Sequence, residues 1–450
     1  MNVYKRYKDS GSDWIGRIPL EWESWKLSHA FQTIGSGTTP EAGNVEYYEN
    51  GEINWLNTGD LNDGILHACA KKVTRKALED YSSLKIFPAG SLVIAMYGAT
   101  IGKTSIIDFE TTTNQACCVF CKGEIIEVKF LYYWFRAHKR HIINLAIGGG
   151  QPNISQAILK DLRVFCPSLI DQQKICTHLD RKTAEIDQLI AKKQKLIELL
   201  EEERTALINQ AVTKGIDPKA KMKHSGIEWL GDVPAHWEVK RIESLAETIT
   251  GYAFKSEFFS FDDGIKIVRG DNVTEGSLRW GDKTRKWQTD LERLSPFSLA
   301  AGDIVIGMDG SKVGKNYAMV REEDLPLLLV QRVARIRAVS AEIANLILYT
   351  VGSYNFRYHV NLSKTDPAIP HITLKNITSY PIFLPPLVEL RELLAYLDVT
   401  LSKLDISRTK IQQEIDLLNE YKTALISEVI TGKVDVREEV QNTKREMIET

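Results

Sequence analysis

The sequence predicts an α+β protein with two similar globular domains, separated by two long helices that form an antiparallel coiled coil with a pseudo-two-fold. The same ordered motifs occur twice, about 215 residues apart, and each copy ends in a segment with apolar residues at heptad spacing. Solenoid repeats have periods of about 20–50 residues, so this longer repeat indicates a duplicated domain. At 450 residues the chain can hold two or three domains.

Each copy opens with the motif Trp-x-Gly-x-x-Pro-x-x-Trp. It begins at Trp14 and again at Trp229, and it ends at Trp22 and Trp237. Because the motif is short and stands at the start of a domain, it favours a structural clasp over a platform on which single-stranded bases stack.

The globular domains are predicted over residues 1–165 and 215–382. Short β-rich runs such as 91–96 alternate with glycine-containing turns, and a helical segment at 130–136 has its counterpart at 344–349. This mixed pattern indicates α+β domains.

The long helices are predicted over residues 166–214 and 383–432, and a polar tail over 433–450. Heptad positions begin at Leu179 in the first helix and at Leu397, 218 residues later, in the second. Five heptads without proline or glycine predict a coiled coil.

Flanking prolines and glycines, and charged residues within the seam, complete the prediction for these helices. Pro167 and Pro385 precede them, and Gly215 and Gly432 follow them. Charged residues in the seam either set the register or pair with glutamates on the other helix; they are Lys193, Arg204, Arg408 and Lys422.

The composition is that of a globular protein, with 43% hydrophobic residues and a net charge of −2. This charge argues against coating nucleic acid by charge alone, although local basic surfaces matter more than the total. Neither a signal peptide nor an apolar run of about 18 residues is present, so we expect a cytoplasmic protein without membrane contact. All six cysteines precede residue 177. Cys118 and Cys121 lie three apart in a predicted strand, which favours buried thiols over a redox or zinc site.

A glycine-rich turn occurs in both copies, at 98–104 and 310–316. It is one residue too short for a phosphate-binding Walker loop, and the second copy lacks the Ser/Thr that would hold magnesium. Either it is a plain turn between strands, or its N–H groups and lysine bind a nucleic-acid phosphate. The candidate residues are Thr100, Lys103, Lys312 and Lys315.

Polar segments at 148–154 and 366–372 follow a helix in each copy. Gln151, Asn153 and His371 are candidate DNA contacts, because amide side chains bind adenine edges. Alternatively, each segment fastens its domain to the start of the long helix.

Basic clusters are either solvated faces or phosphate contacts. Those chosen as candidate DNA contacts are Lys71, Lys72, Arg75, Lys76, Arg279, Arg285 and Lys286; a further basic run contains Arg332, Arg335 and Arg337. No adenine-methyltransferase, nucleotide-loop, HExxH or G-x-S-x-G motif is present, so no catalytic residues are predicted.

The ordered set of motifs resembles the specificity subunit of type I restriction–modification systems over nearly the whole chain. The resemblance rests on the tryptophan motifs, on Ala89-Gly90 and Ala301-Gly302 before a strand and Gly-x-x-x-Gly-Lys turn, and on the segments Gln151–Ile154 and Ile369–Ile372 before the long helices.

This resemblance implies a non-catalytic subunit whose two target recognition domains each bind half of a split, asymmetric site in double-stranded DNA. The paired helices would set the gap between the halves. Two modification subunits would supply S-adenosylmethionine binding and adenine-N6 methylation, and two restriction subunits ATP- and Mg-dependent translocation and cleavage. No cofactor is then expected on this chain. The alternatives are a methyltransferase-only or other restriction assembly, an ATP-binding enzyme, and a coiled-coil scaffold that does not bind DNA.

Overall fold

The chain forms two compact units in a computed structural model. The structure describes residues 2–146, 152–228, 230–282, 284–289, 291–363 and 370–438. Unit 1 contains residues 1–192 and 413–450, and unit 2 contains residues 193–412. The division between the units lies within each of the two long helices.

The helices have the following bounds: α1 Leu27–Ala30, α2 Arg75–Asp80, α3 Val128–Ala137, α4 Lys139–Asn144, α5 Gln156–Asp161, α6 Leu169–Lys214, α7 Ile242–Leu245, α8 Ala341–Gly352, α9 Tyr354–Ser363, α10 Leu374–Thr378 and α11 Leu387–Ile430. The strands have the following bounds: β1 Tyr7–Asp9, β2 Arg17–Pro19, β3 Glu23–Lys26, β4 Phe31–Gly35, β5 Ile53–Leu56, β6 Ile65–Leu66, β7 Lys72–Val73, β8 Leu92–Ala95, β9 Thr104–Ile107, β10 Thr112–Thr113, β11 Cys117–Gly123, β12 Arg163–Cys166, β13 Met222–His224, β14 Asp232–Pro234, β15 Glu238–Arg241, β16 Ala246–Thr250, β17 Ile265–Val268, β18 Val273–Thr274, β19 Ser277–Leu278, β20 Lys286–Trp287, β21 Ile304–Gly307, β22 Tyr317–Met319, β23 Leu327–Leu329, β24 Val333–Ala338 and β25 Pro381–Leu384.

Both units are built on the same strand plan. The main sheet of unit 1 has the order β4-β11-β8-β9-β6, and that of unit 2 has the order β16-β24-β21-β22. A second sheet follows in each, β10-β5-β7 in unit 1 and β20-β17-β23 in unit 2, each with one parallel pair. The predicted α+β class and the duplication are confirmed.

The main sheet of each unit is buried on both faces. In unit 1 one face packs against α3, the start of α6 and the end of α11, and the other face packs against a smaller core under the second sheet. Unit 2 repeats this arrangement. Cys118 belongs to the first core and Cys121 to the second, so these two thiols face opposite sides of β11. Burial raises the pKa of Cys118 to about 12, which keeps this thiol protonated.

The two long helices span Leu169–Lys214 and Leu387–Ile430. α6 begins two residues after Pro167 and ends directly before Gly215, and α11 begins directly after Pro386 and ends two residues before Gly432. Within unit 2, Glu201 bonds Arg408 at 3.2 Å, and Arg204 lies 3.6 Å from Asp405. The residue numbers of the paired residues increase along α6 as they decrease along α11, so the two helices pair antiparallel.

Three of the charged seam residues, Arg204, Arg408 and Lys422, therefore pair across the helices, with aspartate as well as glutamate. In unit 1, Lys422 binds both carboxylate oxygens of Asp187 at 2.6 and 2.7 Å. The apolar seam positions are retained, since Leu179, Leu397 and Leu425 are buried.

The tryptophan motif forms the predicted clasp at the end of a long helix. Trp22 is buried beside Gly432, and Trp237 is buried beside Gly215 and donates a hydrogen bond of 2.9 Å to Glu389. Trp229 lies outside the described residues. None of the helices in the described ranges is both long and apolar enough to cross a membrane.

Candidate nucleic-acid interface

The glycine-rich turns are hairpin connections in the main sheets. The turn of unit 1 joins β8 to its antiparallel neighbour β9, and the turn of unit 2 joins β21 to β22. Gly102 and Gly314 have φ values of +75° and +84°, and a Cβ on either would press on the helix behind it, at Ile143 or Val360. A strand follows each turn, whereas a phosphate loop leads into a helix. The glycines thus serve the hairpin, as the plain-turn interpretation predicts.

The described ends of the polar segments, residues 152–154 and 370–372, lie directly beside these turns. In unit 1 the N–H of Ile154 donates to the carbonyl of Met96 at 2.8 Å, and Asn153 forms a bridge with Tyr97. In unit 2 the N–H of Ile372 donates to Met308 at 3.0 Å, and His371 forms a bridge with Asp309. Two motifs separated by about 50 residues in sequence therefore meet at one sheet edge in each unit.

Asp63 anchors the turn of unit 1 through hydrogen bonds to its carboxylate. Its carboxylate accepts a 2.9 Å hydrogen bond from the backbone N–H of Thr104 and another of 2.9 Å from Lys139. Burial alone would raise the pKa of Asp63, but these hydrogen bonds outweigh burial and hold the pKa below its usual value. The turn that carries Thr100 and Lys103 is thus anchored by a charged group.

In unit 2 the turn forms one wall of an open cleft of 1080 Å³. The segments that follow β17 and β19 form the other wall. The charged residues in its lining are Arg269, Arg279, Lys312, Lys315 and Arg332, with Asp271, Glu275, Asp282 and Asp309.

The cations of the cleft divide into two groups. Lys312, Lys315 and Arg279 form no ion pair with any described residue, so they are available to an anion. Arg269 and Arg332 each lie 3.5 Å from a carboxylate, of Asp271 and Asp309 respectively. Free cations beside paired guanidiniums suit a ligand with both phosphates and hydrogen-bonding edges.

The remaining candidates of unit 1 lie on another edge. Lys71 stands over the ring of Trp55 at 5.9 Å and Lys72 begins β7. Arg75 lies 3.7 Å from Glu52, and Lys76 is paired with Glu46. These exposed pairs contribute little to stability, so they do not prevent phosphate contact.

In unit 2, Arg285 and Lys286 lie outside the cleft lining. Arg285 stacks on Phe261 at 3.9 Å, and Lys286 donates a hydrogen bond of 2.6 Å to the carbonyl of Asp262. Gln151 falls outside the described residues.

The basic run near the end of the domain separates in space. Arg335 is buried with a 2.6 Å hydrogen bond to Glu247, and Arg337 bonds both oxygens of Asp303 at 2.7 Å. Only Arg332 faces the cleft. Nothing in the sequence distinguished Arg332 from Arg335 and Arg337, and Arg269 belonged to no basic cluster. Among the described residues no group of three or more His, Cys, Asp or Glu is placed to hold a metal ion.

Comparison with known proteins adds a family and a fold. The family model for the type I restriction modification DNA specificity domain matches residues 19–199 and 234–417. One similar protein is the MjaVIII specificity subunit of Methanocaldococcus jannaschii, 23% identical over 424 residues, or 94% of this chain and 95% of that protein.

Two solved structures share the fold. One, from a study of complex assembly and conformational transition of the type I R-M system, has a TM-score of 0.68 at 14% identity over 93% of this chain and 99% of its own. The other is the HsdS subunit from Thermoanaerobacter tengcongensis, with a TM-score of 0.50 at 15% identity over 93% and 98% of the two chains.

Proposed function

Because this chain belongs to the type I restriction modification DNA specificity domain family, we propose that it recognises a split, asymmetric site in double-stranded DNA. Each unit binds one half of the site. Two modification subunits then methylate adenine N6 and two restriction subunits cleave, using S-adenosylmethionine, ATP and Mg held by those partners. The chain supplies recognition and no catalytic group.

The cleft of unit 2 carries this proposal. Lys312, Lys315 and Arg279 present charge without carboxylate partners among the described residues, as phosphate contacts require. The guanidinium groups beside them offer the fork of donors that base edges accept. This combination of unpaired cations and guanidinium groups is not expected of a coiled-coil scaffold that does not bind DNA.

The duplication also favours recognition of a bipartite site. The turn and polar segment recur in both units, but their side chains differ: Tyr97 and Asn153 in unit 1 correspond to Asp309 and His371 in unit 2. Two domains of one plan with different contact residues suit two different half-sites.

The proposal is tested by single-molecule methylation sequencing of host DNA, with the gene present and deleted. We expect one split N6-methyladenine motif to disappear on deletion. If the motif persists, purified chain with the modification subunits of the same host is measured for sequence-preferring DNA binding. No preference there would contradict the proposal.

A further inference from the structure

Arg332 adopts a backbone conformation that arginine rarely takes. It is the third residue of a turn from Val330 to Val333, closed by a 3.1 Å hydrogen bond, and its φ is +73°. This position of a type II turn favours glycine or asparagine, because a Cβ crowds the carbonyl in the left-handed region. An arginine here is therefore maintained at a cost in stability.

The equivalent turn of unit 1 does not need this strain. The carbonyls of Ala116 and Arg332 accept equivalent hydrogen bonds from Met96 and Met308, at 2.8 and 3.0 Å. Ala116 nevertheless is not among the residues with a positive φ. The fold can thus form this turn without a left-handed residue, so the strain in unit 2 requires another explanation. Strained residues of this kind cluster at functional sites.

The side chain of Arg332 is directed into the cleft and stays accessible there. Its Nε lies 3.5 Å from Oδ2 of Asp309, and 61% of the side chain is exposed. The guanidinium makes no hydrogen bond with the described residues, so its Nη donors are available. The Asp309 carboxylate orients the guanidinium group but does not occupy its Nη donors.

We infer that Arg332 is a specificity-determining residue, which recognises a guanine in the half-site bound by unit 2. This inference rests on the proposed function. A guanidinium fork matches the O6 and N7 acceptors of guanine in the major groove, whereas adenine presents a donor at the equivalent edge. Lys312, Lys315 and Arg279 lie in the same cleft and hold the neighbouring phosphates, which places the fork at the bases.

The test uses the full chain with its modification subunits and compares three variants by methylation motif, DNA affinity and Tm. Arg332→Gly removes the fork and relieves the left-handed strain. Arg332→Lys keeps the charge but loses the bidentate geometry. Arg321→Ala is the control, because Arg321 is an exposed arginine of unit 2 with a carboxylate 3.3 Å away and lies outside the cleft.

For both Arg332 variants we expect discrimination at one G·C pair of one half-site to fall by roughly 5- to 150-fold, as loss of a bidentate contact gives. The other half-site stays unchanged, and Arg321→Ala changes nothing. Arg332→Gly leaves Tm equal or higher, so the loss is not one of folding. Unchanged discrimination in Arg332→Gly overturns the inference, as does a wild-type half-site without any G·C requirement. A wild-type complex without sequence preference would instead overturn the proposed function.

Discussion

Lys315 contacts no carboxylate among the described residues, although it ends a turn whose glycines are explained by the hairpin alone. We expect Lys315→Ala to weaken DNA binding at every sequence and to lower the slope of log affinity against log salt by about one, because one phosphate contact is lost. Titrations at several salt concentrations measure both. Lys403→Ala, at an exposed position of α11, is the control; an equal effect of the two changes would remove the turn from the interface.

The contribution of the clasp to stability can be tested by a substitution at Gly432. A Cβ at this residue would lie 2.5 Å from Pro19, and its φ is +74°. Gly432→Ala is expected to lower the free energy of unfolding by about 2–4 kcal/mol, combining left-handed strain with overpacking. Gly11→Ala is matched in φ, at +72°, but meets nothing within 4 Å; it should cost about 1 kcal/mol. Denaturant unfolding measures both losses. Equal losses of unfolding free energy in the two variants would show that the residues around Gly432 move aside without cost.

At the scale of elements, the helix pair combines an apolar seam with charged pairs across it. A lysine in a seam weakens a coiled coil unless it finds a partner. Lys422 finds Asp187, and only 16% of the Lys422 side chain is exposed. Such pairs restrict which residues of the two helices can lie opposite each other.

A double-mutant cycle on Lys422→Met and Asp187→Asn measures this pair. We expect a coupling energy of roughly 0.5–1 kcal/mol that decreases with salt, since Asp187 is partly solvated. Lys410→Met, at an exposed position of the same helix, should show no coupling with Asp187→Asn. A coupling of zero for Lys422 would mean that the apolar residues alone determine the register.

At the scale of the whole molecule, the proposed function implies that the two long helices determine the length of the gap between the half-sites. Inserting seven residues into both helices keeps the heptad phase and adds about 10 Å to each. We therefore expect both half-sites to persist with about three more base pairs between them, at about 3.4 Å per pair. Methylation sequencing measures the new motif.

A three-residue insertion into both helices is the contrasting variant. It breaks the heptad phase, so we expect it to lower stability rather than produce a longer gap. A seven-residue insertion that folds but leaves the gap unchanged would show that the helices do not determine the spacing.

The sequence alone determined the duplication, the presence of both long helices and the clasp. These features are encoded locally: heptad spacing, flanking proline and glycine, and a repeated tryptophan motif are visible without knowing which segments meet. The charged seam residues were also recognised in sequence, but their aspartate partners were not, because the pairing depends on the register of two helices far apart in the chain.

Only the tertiary structure decided which cations share a site. Arg332, Arg335 and Arg337 are near neighbours in sequence, yet Arg335 is buried, Arg337 binds Asp303, and Arg332 faces the cleft. Arg332 belongs to the turn before β24, while the other two lie within that strand, and each found a carboxylate from another part of the chain. Composition and periodicity determine which segments fold; long-range packing determines whether a charge is neutralised or remains available to a ligand.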